Sequence, residues 1–423
     1  MKIFKFGGAS VKDAEGVKNV LEVLKTVGYD DALIVISAMG KTTNALEAIA
    51  LACKSHEVEE AKKLAKQLEQ AHIDYALQLL STDNYDVVFS HLNALFTELE
   101  WAIDDFNHQN FDYSYDQVVC IGELLSSRIF AAYLNQLQLS TTWIDARDLI
   151  RTDTTFRDAK VDWKQTEKQV LELCLPAMQN SIVLTQGFIG ATSDNASVTL
   201  GREGSDYTAA ILASILNASA VSIWKDVEGL LNADPKQFKA TQKIELISYS
   251  EVIEMAFYGA QVIHPKTIKP LQNKNIPLHV KCFLNPELKG TTIQNEVSQI
   301  QYPPIIVLKK QQVLLQVTTR DFSFITEDNL SKLYQVFHQL RIKINLIQNA
   351  AISFIACIDH KEDQIEAIIA ALEVDYKITR NENAHLLTIR HYDNTIIDEL
   401  TKDTVCLLQQ KTRSTIQLVL QAV

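Results

Sequence analysis

At 423 residues the chain has room for two or three domains, each with its own core. Apolar residues make up 47% and charged residues 22%, the balance of a soluble globular protein. A net charge of −12 with dispersed Lys and Arg argues against nucleic acid or an anionic membrane as partner. The six cysteines (Cys53, Cys120, Cys174, Cys282, Cys357, Cys406) are far apart and read as free thiols in a reducing compartment. No signal peptide is expected, and Ala209 to Trp224 is too short and polar to span a bilayer. A cytoplasmic location is expected.

The first ten residues set the frame. Ile3, Phe4 and Phe6 predict a short buried strand that Gly7-Gly8 stops where the backbone turns. Ser10 is placed to cap the following helix, with Asp13 three residues on. Strand, glycine pair and helix N-terminus together offer backbone N–H groups to an anion, and Lys5 adds a point charge. A plain tight turn gives the same local pattern, and the P-loop spacing is absent.

Val17, Val20, Leu21, Leu24 and Val27 predict a helix, and Ala32-Leu-Ile-Val-Ile-Ser37 a central parallel strand. The loop from Ala38 to Asn44 then lies at a strand C-terminus, where open parallel sheets bind ligands. Residues 45–108 predict an antiparallel helical excursion with solvated charge runs. A helix over about 114–137 carries Gly122-Glu123, the glutamate set among small and apolar neighbours. Strands follow at 141–145 and 181–186, with a helix at 163–174 between them and a polar loop over 187–204. That loop delivers Arg202, Ser205 and Asp206 to the start of an apolar helix. Asp206 suits the dipole there, and Arg202 suits a carboxylate or phosphate. Next come a strand at 221–224, a loop over 225–236, helices at 250–258 and 265–272, and a strand at 278–282. After Pro303-Pro304 the rhythm becomes βαββαβ and then βαββ, a ferredoxin-like unit with a partial second copy.

These segments, taken together, resemble the aspartate kinases of the amino-acid kinase family. The markers are Lys5-Phe-Gly-Gly-Ala-Ser-Val11, Ile36-Ser-Ala-Met-Gly-Lys-Thr-Thr-Asn44, Gly122-Glu123, Leu200-Gly-Arg-Glu-Gly-Ser-Asp-Tyr-Thr208, Trp224-Lys-Asp-Val-Glu-Gly229, Asp234-Pro-Lys236 and Tyr258 to Pro265. The resemblance implies an αβα-sandwich kinase domain with a mainly parallel sheet over 1–302, an ACT-like domain over 303–383 and a partial ACT-like unit over 384–423. It also implies transfer of a phosphoryl group from ATP, with Mg²⁺, to the side-chain carboxylate of L-aspartate, the entry to lysine, threonine and methionine synthesis. By position, Lys5 and Asp206 match catalytic residues, and Ser37, Thr43, Glu123 and Arg202 match aspartate-binding ones. Gly7, Gly8, Ser10, Lys225, Asp226, Leu231 and Lys236, with Lys5, fall at nucleotide positions; no protein metal ligand is assigned.

Three residues depart from that pattern: Ala9 for threonine, Leu231 for tyrosine and Gln261 for lysine, each on the nucleotide side. Lysine or threonine as effector and a homodimer through the ACT-like units are further expectations. No fused catalytic domain is expected, since the residues after 303 are spent on those units. Two other readings stay open at this point: a kinase of the same fold with another acceptor, and a non-catalytic amino-acid sensor.

Overall fold

The computed structural model describes residues 1–260, 263–297 and 301–422. The chain opens with β1 (Lys2–Phe6), α1 (Ala14–Val27), β2 (Ala32–Ile36), α2 (Thr42–Lys54), α3 (Val58–Leu79) and α4 (Thr82–Asp104). Then come α5 (Phe111–Val119), α6 (Ile121–Gln136), β3 (Thr141–Trp143), α7 (Ala146–Leu149), α8 (Trp163–Met178), β4 (Ile182–Gln186), β5 (Ile189–Ala191) and β6 (Ser197–Thr199). They are followed by α9 (Gly204–Leu216), β7 (Ala220–Lys225), β8 (Leu230–Leu231), β9 (Lys243–Ile244), β10 (Leu246–Ser248), α10 (Tyr249–Tyr258), α11 (Pro265–Asn273), β11 (Leu278–Cys282) and β12 (Thr291–Gln294). The last stretch holds β13 (Ile305–Thr319), α12 (Glu327–Gln339), β14 (Ile344–Asn349), β15 (Ser353–Asp359), α13 (Glu362–Leu372), β16 (Tyr376–Arg390), α14 (Asn394–Leu400), β17 (Thr404–Lys411) and β18 (Thr415–Ala422).

Contacts divide the chain into two units. The first is Met1–Leu230, Lys243–Ile253 and Val262–Ser298; the second is Leu231–Gln242, Glu254–Gln261 and Gln299–Val423. Where the sequence reading ends the kinase domain at 302, this division gives two short upstream segments to the second unit.

The first unit is built on a sheet of order β10-β12-β11-β7-β1-β2-β4-β3, parallel except where β11 meets β12. Its central strands are buried on both faces, as parallel strands flanked by helices must be. All five residues of β2 are buried. Phe4, Phe6, Ile34 and Ile36 share one core with α1, α2 and the α3–α6 helices. The alternate residues Ile3, Leu33 and Val35, equally buried, belong to the opposite face, where α9 lies against β1 and β2.

Local signals explain most ends, with corrections. Asp13, not Ser10, caps α1: its side chain accepts the Gly16 N–H at 2.8 Å, and Gly28, at φ 77°, ends the helix. The Ser10 hydroxyl instead donates to the Trp224 carbonyl of β7 at 3.5 Å. The expected helix over 114–137 is two, α5 and α6, meeting at Cys120. Phe111–Gln136 is apolar and long enough to cross a membrane, yet 83% of its apolar window is buried in the fold, which marks a core segment. The expected loop over 187–204 contains the β5–β6 hairpin, whose three-residue strands are too short for a period-2 pattern to show. Five of the six cysteines are buried and Cys406 is exposed; all are free.

The second unit carries an antiparallel sheet of order β14-β15-β13-β16-β18-β17. Two 15-residue strands, β13 and β16, run through it and change register between Lys309 and Leu314. Gln312–Thr319 and Tyr376–Asn381, with β14, β15, α12 and α13, make one ferredoxin-like half around Val313, Leu315, Phe337 and Phe354. Leu386–Arg390, β17 and β18 make the other. Its fourth strand, which the chain after 384 lacks, is Ile305–Lys309, paired antiparallel with Leu386–Arg390. Reading units in chain order could not find it, because that strand precedes the first half. For the same reason the expected boundary at 383/384 falls inside β16. Ala233 and Phe238 pack with α14 over this second half, on Ile306, Leu387, Ile389 and Ile416.

Candidate active site

Five pieces of backbone end at one place in the first unit: the C-termini of β1, β2, β4 and β7, and the N-terminus of α9. Parallel strands put their C-terminal ends on one edge, so this is where a ligand crevice is expected. The crevice measures about 580 Å³.

The β1 turn forms its floor. Gly8 sits against neighbouring backbone: a Cβ there would lie 2.8 Å from the Ala38 carbonyl oxygen and 3.1 Å from that of Gly40. Only glycine lets the two turns approach so closely, and the Gly40 N–H donates to the Gly8 carbonyl at 3.1 Å. Lys5, next to the C-terminal residue of β1, is buried, and its Nζ lies 2.7 Å from Asp206 Oδ1 in the first turn of α9. Lys225 Nζ, at the end of β7, is 3.8 Å from Asp206 Oδ2. Burial alone would raise the Asp206 pKa. The Lys5 and Lys225 charges and the Lys5 hydrogen bond outweigh burial and hold it below the usual carboxylate value.

Glu123 enters from α6. Gly122 permits this approach, since a Cβ there would lie 2.9 Å from Leu46 and 3.0 Å from Thr42. Glu123 is buried, and its Oε2 has no hydrogen-bond partner among the described residues. Burial pushes its pKa up to about 8, against the pull of the Ala38 backbone, its own backbone and Lys5. A buried acid with an orphan oxygen on a cleft wall is a group waiting for a cation. Arg202, exposed on the crevice wall, has no carboxylate partner among the described residues.

The crevice thus brings together Lys5, Gly7, Gly8, Ser10, Ser37, Thr43, Glu123, Arg202, Asp206, Lys225 and Asp226. It does not gather Leu231 and Lys236, which belong to the second unit. Lys236 instead donates its backbone N–H to Asp234 Oδ1 at 2.9 Å, inside its own turn. Ala9 lines the crevice and is exposed there. Gln261 lies outside the described residues.

The walls also hold residues that the sequence reading missed: Glu47, Tyr115, Arg157, Phe188, Thr199 and Glu203. Three of them, Arg157, Phe188 and Glu203, are non-glycine residues at φ 67°, 70° and 55°. Such backbone costs about 1–3 kcal/mol per residue and concentrates at ligand sites. A glycine would have flagged these turns; an Arg, a Phe and a Glu do not.

The sequence pattern of the "Amino acid kinase family" matches residues 1–282. The chain is 30% identical to the lysine-sensitive aspartokinase 3 of Escherichia coli over 84% of its own length and 78% of the relative's. It is 31% identical to the chloroplastic aspartokinase 1 of Arabidopsis thaliana over 84% of its length, spanning 63% of that relative. Among solved structures it superposes on E. coli aspartokinase III in complex with lysine and aspartate at TM-score 0.82 and 24% identity, covering 99% of this chain and 95% of that one. The Clostridium acetobutylicum aspartate kinase superposes at TM-score 0.80 and 21% identity, over 100% and 96%. These two likenesses show the fold; the sequence relatives carry the rest. The chain belongs to the amino acid kinase family as one of its aspartokinases, a phosphotransferase with a carboxyl group as acceptor.

Proposed function

We propose that the crevice is divided between an acceptor end, Ser37, Thr43, Glu123 and Arg202, and a phosphate end, Lys5, Gly7, Gly8, Ser10, Lys225 and Asp226. The observation that carries this reading is Lys5 held at 2.7 Å from Asp206 between the two ends. Arg202 forks onto the α-carboxylate of L-aspartate, and Glu123 takes its ammonium. The side-chain carboxylate is already ionised near pH 7, so no general base is required. One of its oxygens bonds to the γ-phosphorus of ATP as the bond from that phosphorus to the β,γ-bridging oxygen breaks. ADP leaves and 4-phospho-L-aspartate forms, with no net proton transfer at the carboxylate. Lys5 and the Gly7 and Gly8 amides face the phosphoryl charge, and Asp206 orients Lys5.

No group of three or more carboxylate, His or Cys ligands occurs among the described residues. That fits an ion carried in on phosphate oxygens, since Mg²⁺ takes only one or two carboxylates in such sites. Asp206 and Asp226 are the carboxylates that would hold it, and it would neutralise phosphate charge.

Mg-ATP turnover with L-aspartate, L-glutamate or no acceptor, with hydroxylamine trapping the acyl phosphate, tests the reading. Hydroxamate with aspartate alone, lost in Arg202→Ala, is expected. Equal yield with glutamate would overturn the acceptor assignment; aspartate binding without turnover would indicate a sensor. Gly8→Ala should lower kcat/KM for ATP by about tenfold or more, because a methyl against fixed backbone must displace the phosphate turn. An unchanged value in steady-state kinetics would remove that turn from the phosphate end.

A cytoplasmic homodimer paired through the second unit, feeding synthesis of lysine, threonine and methionine, is the setting in which we place the enzyme. The E. coli relative is named for its sensitivity to lysine, which makes lysine the first effector to test and threonine the second. An initial rate and melting temperature unmoved by either would dismiss both.

A further inference from the structure

Three residues on one face of α5 converge on one loop residue. Asp112, Tyr115 and Asp116, spaced i, i+3, i+4, all meet Arg157. Asp112 Oδ1 pairs with its Nη1 at 3.1 Å, the Tyr115 ring lies 4.4 Å under its guanidinium, and Asp116 takes its backbone.

Asp116 is wholly buried. Its Oδ2 accepts the Arg157 N–H at 2.8 Å and the Thr199 N–H at 2.9 Å, and its Oδ1 accepts the Thr199 hydroxyl at 2.8 Å. One carboxylate therefore ties a helix, a loop and a strand. Both tied residues line the crevice, and Arg157 is one of the three held at positive φ. The tie continues toward Arg202. The Ala159 N–H donates to the Thr199 carbonyl at 3.0 Å. A Cβ on Gly201 would lie 2.5 Å from Asp158 Oδ1, so the loop presses on the residue directly before Arg202. No hydrogen bond or ion pair of Asp116 reaches Lys5, Gly7, Gly8 or Lys225 among the described residues.

We propose that Asp116 is a positioning residue for the acceptor end: its carboxylate sets loop 153–159 against β6 and so aims Arg202 at the substrate carboxylate. The inference rests on the reading of Arg202 given above. It separates two functions in one crevice, because disturbing Asp116 should loosen aspartate and leave ATP alone.

The test measures both KM values and the melting temperature for Asp116→Ala, Asp116→Asn, Thr199→Val and Arg202→Ala. Alanine leaves the buried Thr199 N–H and the part-buried Arg157 N–H unanswered, and the aspartate KM should rise by roughly 10–100-fold with the ATP KM within about twofold. Asparagine can rescue: its oxygen takes both N–H groups, and its NH2 donates to a Thr199 hydroxyl turned to accept. Its aspartate KM should stay within about threefold of the parent's. Parallel rises in both KM values, or no change in the aspartate KM, would overturn the proposal and leave a purely structural tie. Should Asp116→Ala not fold, Thr199→Val decides: the aspartate KM rises several-fold alone, or the proposal fails. An unchanged aspartate KM in Arg202→Ala would instead bring down the subsite reading itself, with the inference that rests on it.

Discussion

Lys5→Ala is expected to lower kcat by ~10²–10³, with the KM for aspartate changed far less. The side chain is buried in the crevice, and its charge is held by Asp206 at 2.7 Å. A donor held in place before the reaction costs no reorganisation when phosphoryl charge develops, and water that replaces it must be ordered first. Arginine should not restore the rate, since its planar fork cannot occupy a slot shaped for one ammonium. The same variant should weaken the fold. Losing one partner of a buried pair costs about 3–5 kcal/mol, and Lys225, 3.8 Å from Asp206, should hold the loss to the low end. The pH dependence separates the two effects. In the parent Asp206 has a depressed pKa, so its contribution is present above the ordinary carboxylate value and is lost as pH falls through the folded value. Without Lys5 the folded value rises, and acid unfolding should begin at higher pH. A kcat within tenfold of the parent's would exclude Lys5 from charge stabilisation; an unshifted acid midpoint would mean that Lys225 carries Asp206 alone.

Much of this crevice was legible because its makers obey local rules. Gly7-Gly8 announces the turn after β1, where Gly8 meets backbone, and runs such as Ala32–Ile36 announce buried parallel strands whose C-terminal ends must share an edge. Lys5 stood out as a charge beside the glycine turn, Glu123 as an acid among small and apolar neighbours, and Arg202 and Asp206 as charges at a helix start. What stayed hidden has nonlocal causes. Asp13 and Ser10 are both good caps, and the choice between them rests on the Trp224 carbonyl, more than 200 positions away, which takes the Ser10 hydroxyl. Arg157, Phe188 and Glu203 adopt backbone that their own side chains disfavour, so only the surroundings dictate it. In the second unit a strand from the start of the segment completes the last half-sheet, and no pattern within a strand says which neighbour it will choose. Leu231 and Lys236, read from motif position alone, fall in the other unit.

Aspartate binding should release a proton near pH 7, and Glu123 should be its source. In the unliganded protein burial holds this acid protonated up to about pH 8. An ammonium placed beside it favours the ionised form, so binding drives the proton off. Titration calorimetry at pH 7 in buffers of different ionisation enthalpy should show approaching one proton released per aspartate, falling to none well above pH 8. The KM for aspartate should then drop by as much as about tenfold per pH unit as pH rises toward 8, and level off there. Glu123→Gln should abolish the proton release and weaken aspartate by ~10²-fold, since the charge-assisted contact is lost while the shape is kept. Stability supplies an independent check with a definite sign. The folded pKa of Glu123 lies above its unfolded value, so the native state binds the extra proton, and stability falls as pH rises from about 4 to 8. Glutamine carries no such liability: its melting temperature should exceed the parent's at pH 8 and match it at pH 4. Lys5 pulls the Glu123 pKa down, so in Lys5→Ala the release of the proton should persist to higher pH. Proton release that survives in Glu123→Gln would assign the ionisation to another group. No release in the parent at pH 7 would mean that Glu123 is already charged, and that the ammonium meets a carboxylate rather than creating one.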